Sequence, residues 1–197
     1  GTGFLIDSGR GLIATNYHVI SLSNHIRVQI NKTTKVEARV VAKSMYDDMA
    51  IIQINPEITA DIKSCNLAPK NYELYIGEEI FAIGSPLTQT EIFTRGIISK
   101  VLDRAILSGD ININHGNSGG PLFNTEEYVI GINTFADADR MGKVSGIIKI
   151  DPLYILIDDA NQFILKNDEI PSSKYYETMP EDSFPPDALA KSLLIDY

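Results

Sequence analysis

Residues 115–120 read His-Gly-Asn-Ser-Gly-Gly: one serine, with a glycine two places before it and two directly after. Asn, Ser and Gly also make plain surface turns, so the stretch needs company before it means catalysis. A nucleophilic serine requires a base to take its hydroxyl proton and a third group to orient that base. It also requires backbone donors for the oxyanion that develops on the substrate. The glycines suit this last demand. Gly116 lets the loop Gly116-Asn117-Ser118 turn so that the N–H groups of Gly116 and Ser118 converge, and Gly119 and Gly120 leave room for a substrate main chain. Three histidines offer a base. His18 lies just past a strand-like run, where scaffolds present reactive groups; His25 opens another run, and His115 sits in the serine loop. Asp47 and Asp48 stand before the apolar run Met49-Ala50-Ile51-Ile52. Either both end a strand in water or one partners a histidine, because a carboxylate at the mouth of a buried strand is costly alone. Neighbours on an extended segment point to opposite sides, so only one of the two can face the base.

The elements that must hold these residues are short β-branched and aromatic runs broken by turn residues, which predict an all-β fold. The strands expected are Gly3–Ile6, Leu12–Asn16, His25–Ile30, Val36–Ala42 and Met49–Ile54, then Glu79–Gly84, Ile92–Val101, Ala105–Ile113, Gly120–Phe123, Tyr128–Thr134 and Val144–Ile150. A connection over Asn55–Tyr75 separates five strands from six. Two small antiparallel barrels or sandwiches, over about residues 1–60 and 76–150, fit this better than any βαβ scheme. Asp151-Pro152 then reads as an N-cap with proline at the first helical position. Apolar residues at helical spacing from Leu153 to Leu165 predict a helix over about 152–166. Residues 167–197 form an acidic, proline-broken tail with a short helix over Asp187–Ile195, expected to be dispensable for the chemistry.

Composition bounds the function. The chain has 197 residues, 44% hydrophobic, with a formal net charge of −9. No basic stripe exists to meet nucleic acid, and no apolar run of about 18 residues exists to span a membrane. A single cysteine, Cys65, excludes an intrachain disulfide framework. No signal peptide is visible; the opening is already strand-like, as in a trimmed chain, so its absence says little.

Three segments together resemble the active-site motifs of chymotrypsin-fold serine peptidases, above all the HtrA/Deg branch: Thr15-Asn16-x-His18-Val19, Asp48-x-Ala50, and Gly116-Asn117-Ser118-Gly119-Gly120-Pro121-Leu122. Gly1-Thr2-Gly3-Phe4, Ala82-Ile83-Gly84-Ser85-Pro86, Thr94-x-Gly96-Ile97-Ile98-Ser99 and Gly131-Ile132-Asn133-Thr134 also have counterparts there, in order, across residues 1–165. The resemblance implies two six-stranded antiparallel barrels of the chymotrypsin-like fold with a C-terminal helix. It implies a triad of His18, Asp48 and Ser118, an oxyanion hole at Gly116, Asn117 and Ser118, and a specificity pocket at Asn112, Ile113, Asn133 and Thr134. It implies no cofactor and no metal ion, protein or peptide substrates, and an extracytoplasmic setting. Members commonly trimerise through an N-terminal segment without counterpart here, so the oligomeric state stays open.

Departures from the family pattern are informative. Asn117 replaces the aspartate that precedes the serine in trypsin-like zymogens. Asp110-Ile111-Asn112-Ile113-Asn114 replaces the family's D-A-A-I-N, and Gly146-Ile147-Ile148-Lys149-Ile150 its G-F-A-I-P, which alters the pocket's expected shape. The leading reading is a serine endopeptidase cutting unfolded or extended protein segments in protein quality control, after small or medium apolar side chains. The alternatives are a catalytically silent binding module on the protease fold and a narrow-specificity, glutamyl-endopeptidase-like enzyme. The latter carries G-N-S-G-S-P where this chain has Gly120.

Overall fold

Successive residues of the first strands are buried on both faces, and the alternation decides which core each joins. Phe4, Leu12, Ala14, Met49 and Ile51 enter one apolar cluster, while their neighbours Leu5, Ile13, Ala50 and Ile52 enter another. The second cluster fills the N-terminal barrel. The first lies between that barrel, the C-terminal sheet and a covering helix. The computed structural model describes residues 1–31, 34–84, 92–111, 113, 116–134, 144–173 and 192–196.

The N-terminal barrel contains β1 (Thr2–Asp7), β2 (Leu12–Thr15), β3 (Ile26–Asn31), β4 (Thr34–Ser44) and β5 (Met49–Gln53), with a one-turn helix α1 (Tyr17–Ile20) after β2. The C-terminal half contains β6 (Asn66–Leu67), β7 (Glu79–Gly84), β8 (Ile92–Ile97), β9 (Lys100–Val101), β10 (Ala105–Ser108), β11 (Pro121–Asn124), β12 (Tyr128–Asn133) and β13 (Ser145–Lys149). Its order is β8-β7-β11-β12-β13-β10-β9, with β6 parallel to β12. Helix α2 (Leu153–Lys166) buries Leu153, Leu156 and Ala160 in the shared cluster and packs on β4 and β5.

The all-β architecture in two halves with one long helix agrees with expectation, while several details do not. The C-terminal half is an eight-stranded sheet rather than a six-stranded barrel. The run expected as Ile92–Val101 breaks at Ile98-Ser99, and Ala105–Ile113 stops at Ser108, where side-chain hydroxyls take over the ladder's hydrogen bonds. The carboxylate of Asp151 does not cap α2; it accepts the Asn71 N–H at 2.7 Å.

The largest correction concerns the tail. Residues Ser192–Asp196 form a strand, β14, where a helix was expected; residues 187–191 of that expectation lie outside the described residues. β14 runs antiparallel to both β1 and β3, pairing Gly3 with Leu193 and Val28 with Ile195, and it closes the six-stranded barrel. A short apolar run such as Leu193-Leu194-Ile195 does not distinguish helix from strand by itself. The edges of β1 and β3 decide the matter, because each carries backbone groups that need partners. Ser192–Asp196 are therefore part of the barrel. Among the described residues, no helix is long and apolar enough to cross a membrane.

Candidate active site

β2 delivers His18 through α1, and the β4–β5 turn delivers Asp48. Asp48 has φ +49, a left-handed conformation that aspartate tolerates better than most residues. This bend turns its carboxylate back toward α1. Oδ2 lies 2.8 Å from the His18 ring Nδ1, and Oδ1 accepts the His18 main-chain N–H at 2.9 Å. The Thr134 hydroxyl donates to Oδ2 at 3.2 Å, and the Asn16 side-chain amide donates to the Asp48 carbonyl at 2.8 Å. His18 Nε2 has no bond among the described residues. His25 is exposed and takes no part in this arrangement; His115 lies outside the described residues.

Asp47 points elsewhere. Its Oδ1 accepts from Arg104 Nη1 at 2.9 Å and its Oδ2 from the Ser44 hydroxyl at 2.8 Å, while the Arg104 guanidinium lies 4.3 Å from the centre of the Tyr46 ring. Two neighbouring acids thus have two different partners.

Ser118 precedes β11 on a loop pressed against the N-terminal barrel. Gly119 has φ +88, and a Cβ there would fall inside contact distance of the Thr2 carbonyl oxygen and the Thr15 hydroxyl. That close approach brings the serine loop against Asn16, two residues before His18. The loop is pinned on both sides. Thr2 N–H donates to the Ser118 carbonyl at 2.8 Å, and Gly119 N–H to the Asn133 carbonyl at 2.8 Å. Gly116 has φ +99, which few other residues could adopt. The amides of Gly116, Asn117 and Ser118 have no acceptor among the described residues, whereas those of Gly119 and Gly120 do. Three adjacent free donors beside a serine suit a developing oxyanion. No hydrogen bond joins Ser118 Oγ to another described residue.

The Asn117 side chain is buried and occupies the space a Cβ on Gly84 would need, which accounts for the glycine in Ala82-Ile83-Gly84. Ser85 and Pro86 of that motif lie outside the described residues. Gly96 has a similar reason, since Asp110 and Ile111 pack against its Cα. Asp110 Oδ1 accepts the Ile97 N–H at 3.0 Å and the Ser108 hydroxyl at 2.8 Å. These bonds, the Ile97 amide first, hold the Asp110 carboxyl below the ordinary aspartate value. The loop toward the pocket is thereby tied to β8.

Of the residues expected to line the pocket, Asn112 lies outside the described residues. Ile113 packs partly buried against the shared core. Asn133 is wholly buried; its main chain pairs with Gly119 and Gly120, and its side chain donates to the Pro121 carbonyl at 3.2 Å. Thr134 faces Asp48. Both were expected in the specificity pocket; these contacts tie them to Asp48 and to the serine loop. Thr2 and Thr15 went unassigned, although both stand in motifs that announce the family. Cys65 contributes no nucleophile, because burial pushes its thiol up to about 11.

Residues 1–132 match the profile of a trypsin-like peptidase domain. The chain is 39% identical over 153 residues to the periplasmic serine endoprotease DegP of Salmonella typhimurium, covering 73% of this chain and 31% of that protein. It is 38% identical over 154 residues to its Escherichia coli K12 namesake, with the same coverages. It is 34% identical over 170 residues to a probable DegP-like periplasmic serine endoprotease of Pseudomonas savastanoi pv. phaseolicola, covering 82% and 34%. The crystal structure of the serine endoprotease from Yersinia pestis superposes with a TM-score of 0.71 at 27% identity, covering 82% of this chain and 57% of that one. The chain thus spans about a third of the length of the curated relatives it matches. It belongs to the trypsin-like peptidase domain family, as a protease domain of the HtrA/Deg kind.

Proposed function

We propose that this domain is a serine endopeptidase in which Ser118 attacks, His18 is the general base and acid, and Asp48 orients His18. The observation that carries the reading is the pair of bonds from one carboxylate to the ring and the main chain of His18. Asp48 keeps the proton on Nδ1, so Nε2 takes the Ser118 hydroxyl proton as Oγ adds to the scissile carbonyl carbon. The oxygen of that carbonyl becomes an oxyanion, met by the amides of Gly116 and Ser118. Collapse of the tetrahedral intermediate breaks the C–N bond, and His18 returns its proton to the leaving amine. A water molecule then repeats the sequence on the acyl-enzyme and frees Ser118.

The substrates are unfolded or extended protein segments, cut after small or medium apolar side chains. Asn112 has no charge to offer a Lys or Arg side chain, and Ile113 beside it makes the pocket apolar. The relatives are named periplasmic endoproteases, so the setting proposed is extracytoplasmic protein quality control. A fluorophosphonate probe should label Ser118 of the wild type. Ser118→Ala should abolish labelling and lower turnover of unfolded casein by on the order of 10⁶. Near wild-type cleavage by Ser118→Ala would refute the mechanism, and cuts mapped mainly after Lys or Arg would refute the pocket.

A further inference from the structure

We infer that Thr2 is a positioning residue for the oxyanion hole, holding the serine loop through its hydroxyl; this rests on the peptidase reading above. Thr2 is fully buried at the seam between the two halves. Its Oγ1–H donates to the Gly116 carbonyl at 2.5 Å, and its N–H donates to the Ser118 carbonyl at 2.8 Å. Its own carbonyl accepts the Thr15 hydroxyl at 2.7 Å. Thr15 is fully buried too, and lies on β2 three residues before His18.

These bonds clamp the segment Gly116-Asn117-Ser118 at both ends. Gly116 has the widest conformational choice in the loop, and its positive φ is held only if something fixes the peptide that follows. The Thr2 hydroxyl does so by occupying the Gly116 carbonyl on the barrel side, which leaves the amides of Gly116 and Ser118 for the substrate. A buried hydroxyl without an acceptor is costly, and the Gly116 carbonyl supplies one. A serine could make the same bond; valine, of the same shape, could not. The Thr15 bond anchors Thr2 to the strand that carries the base, so hole and base are set by one chain of contacts.

The test compares Thr2→Val, Thr2→Ala and Thr2→Ser in the full chain. The control is fluorophosphonate labelling of the wild type at Ser118; its failure sinks the peptidase reading itself, before Thr2 is at issue. With labelling established, Thr2→Val should lower kcat about 10- to 100-fold, the scale for misplacing a catalytic group by about 1 Å, with KM changed less than about 2-fold. Affinity for a peptide boronic acid, whose adduct oxygen sits in the hole, should fall by the same factor as kcat/KM. The pH dependence should stay put, since His18 is untouched. Thr2→Ser should keep kcat within about 3-fold of wild type. Thr2→Ala decides the matter if Thr2→Val does not fold. Wild-type kcat in either hydroxyl-free variant would overturn the inference, as would a loss confined to KM. It would equally be overturned if neither hydroxyl-free variant folds, because Thr2 would then serve the fold alone.

Discussion

Both oxygens of the Asp48 carboxylate are bound to one residue, His18, at 2.9 Å to its main-chain nitrogen and 2.8 Å to its ring Nδ1. The double attachment fixes the imidazole in position and in tautomer. Asp47, one residue earlier, is bound to Arg104 and Ser44 instead. Asp48→Asn should therefore lower turnover about 10⁴-fold by favouring the wrong tautomer. Asp47→Asn, which breaks an exposed ion pair worth about 1 kcal/mol or less, should leave turnover within a few-fold. Steady-state hydrolysis of a small peptide by the two variants measures this, and the reverse ranking would reassign the acid.

Much of this arrangement was legible beforehand because it follows from local chemistry. The period-two alternation of β1, β2 and β5 is written in the residues. Asp47 and Asp48 do part company, but through the left-handed turn at Asp48 and not through the alternation of an extended segment. The glycines of the serine loop announce positive φ, which Gly116 and Gly119 both show, and close approach, which Gly119 shows. What escaped depends on partners distant in sequence. Nothing near Thr2 says that its hydroxyl meets Gly116, 114 residues away. Nothing near Thr134 says that its hydroxyl meets Asp48, 86 residues away. Leu193-Leu194-Ile195 had no decisive local preference, and the two edges it pairs with lie more than 160 positions earlier.

Asp110 couples pocket loop to β8 through its ionised carboxylate. Its folded-state pKa is depressed, chiefly by the Ile97 amide, below its ordinary value of 3.8. A depressed carboxylate contributes stability that is fully present above the unfolded pKa and is lost as pH falls through the lower, folded value. Asp110→Asn keeps an acceptor oxygen but removes the charge. Its Tm should lie below that of the wild type at neutral pH, and the gap should close as pH falls below about 4. Thermal unfolding across pH measures it; a gap that persists unchanged at pH 3 would show that shape, not charge, matters at this position.

Asn117 is buried and neutral, with its amide packed over Gly84. In trypsin-like activation a fresh α-ammonium inserts beside an aspartate at this place. Here the same ammonium would be left uncompensated, at a cost of several kcal/mol. Protein carrying a blocked, extended N-terminus and protein with a free one should therefore react with a fluorophosphonate at the same rate. Reaction by the free form alone would restore a zymogen mechanism.

β14 ties the tail to the site as well as to the barrel. Thr2 pairs with Leu194 in the β1–β14 ladder, and the same Thr2 holds the Gly116 and Ser118 carbonyls. Deleting residues 174–197 would leave β1 and β3 with unpaired backbone groups on facing edges, which invites association with other chains. It would also release the strand that carries Thr2. The truncated protein should therefore lose at least about 5 °C in Tm, at roughly 2–4 °C per kcal/mol for a chain of this size. It should also lose kcat on a small peptide, in the direction expected for Thr2→Val, because the loop is then held from one side only. Adding the peptide Ser192–Asp196 with short flanks in trans should recover part of both. A truncated protein with wild-type Tm and kcat would show that β14 closes the barrel without supporting it.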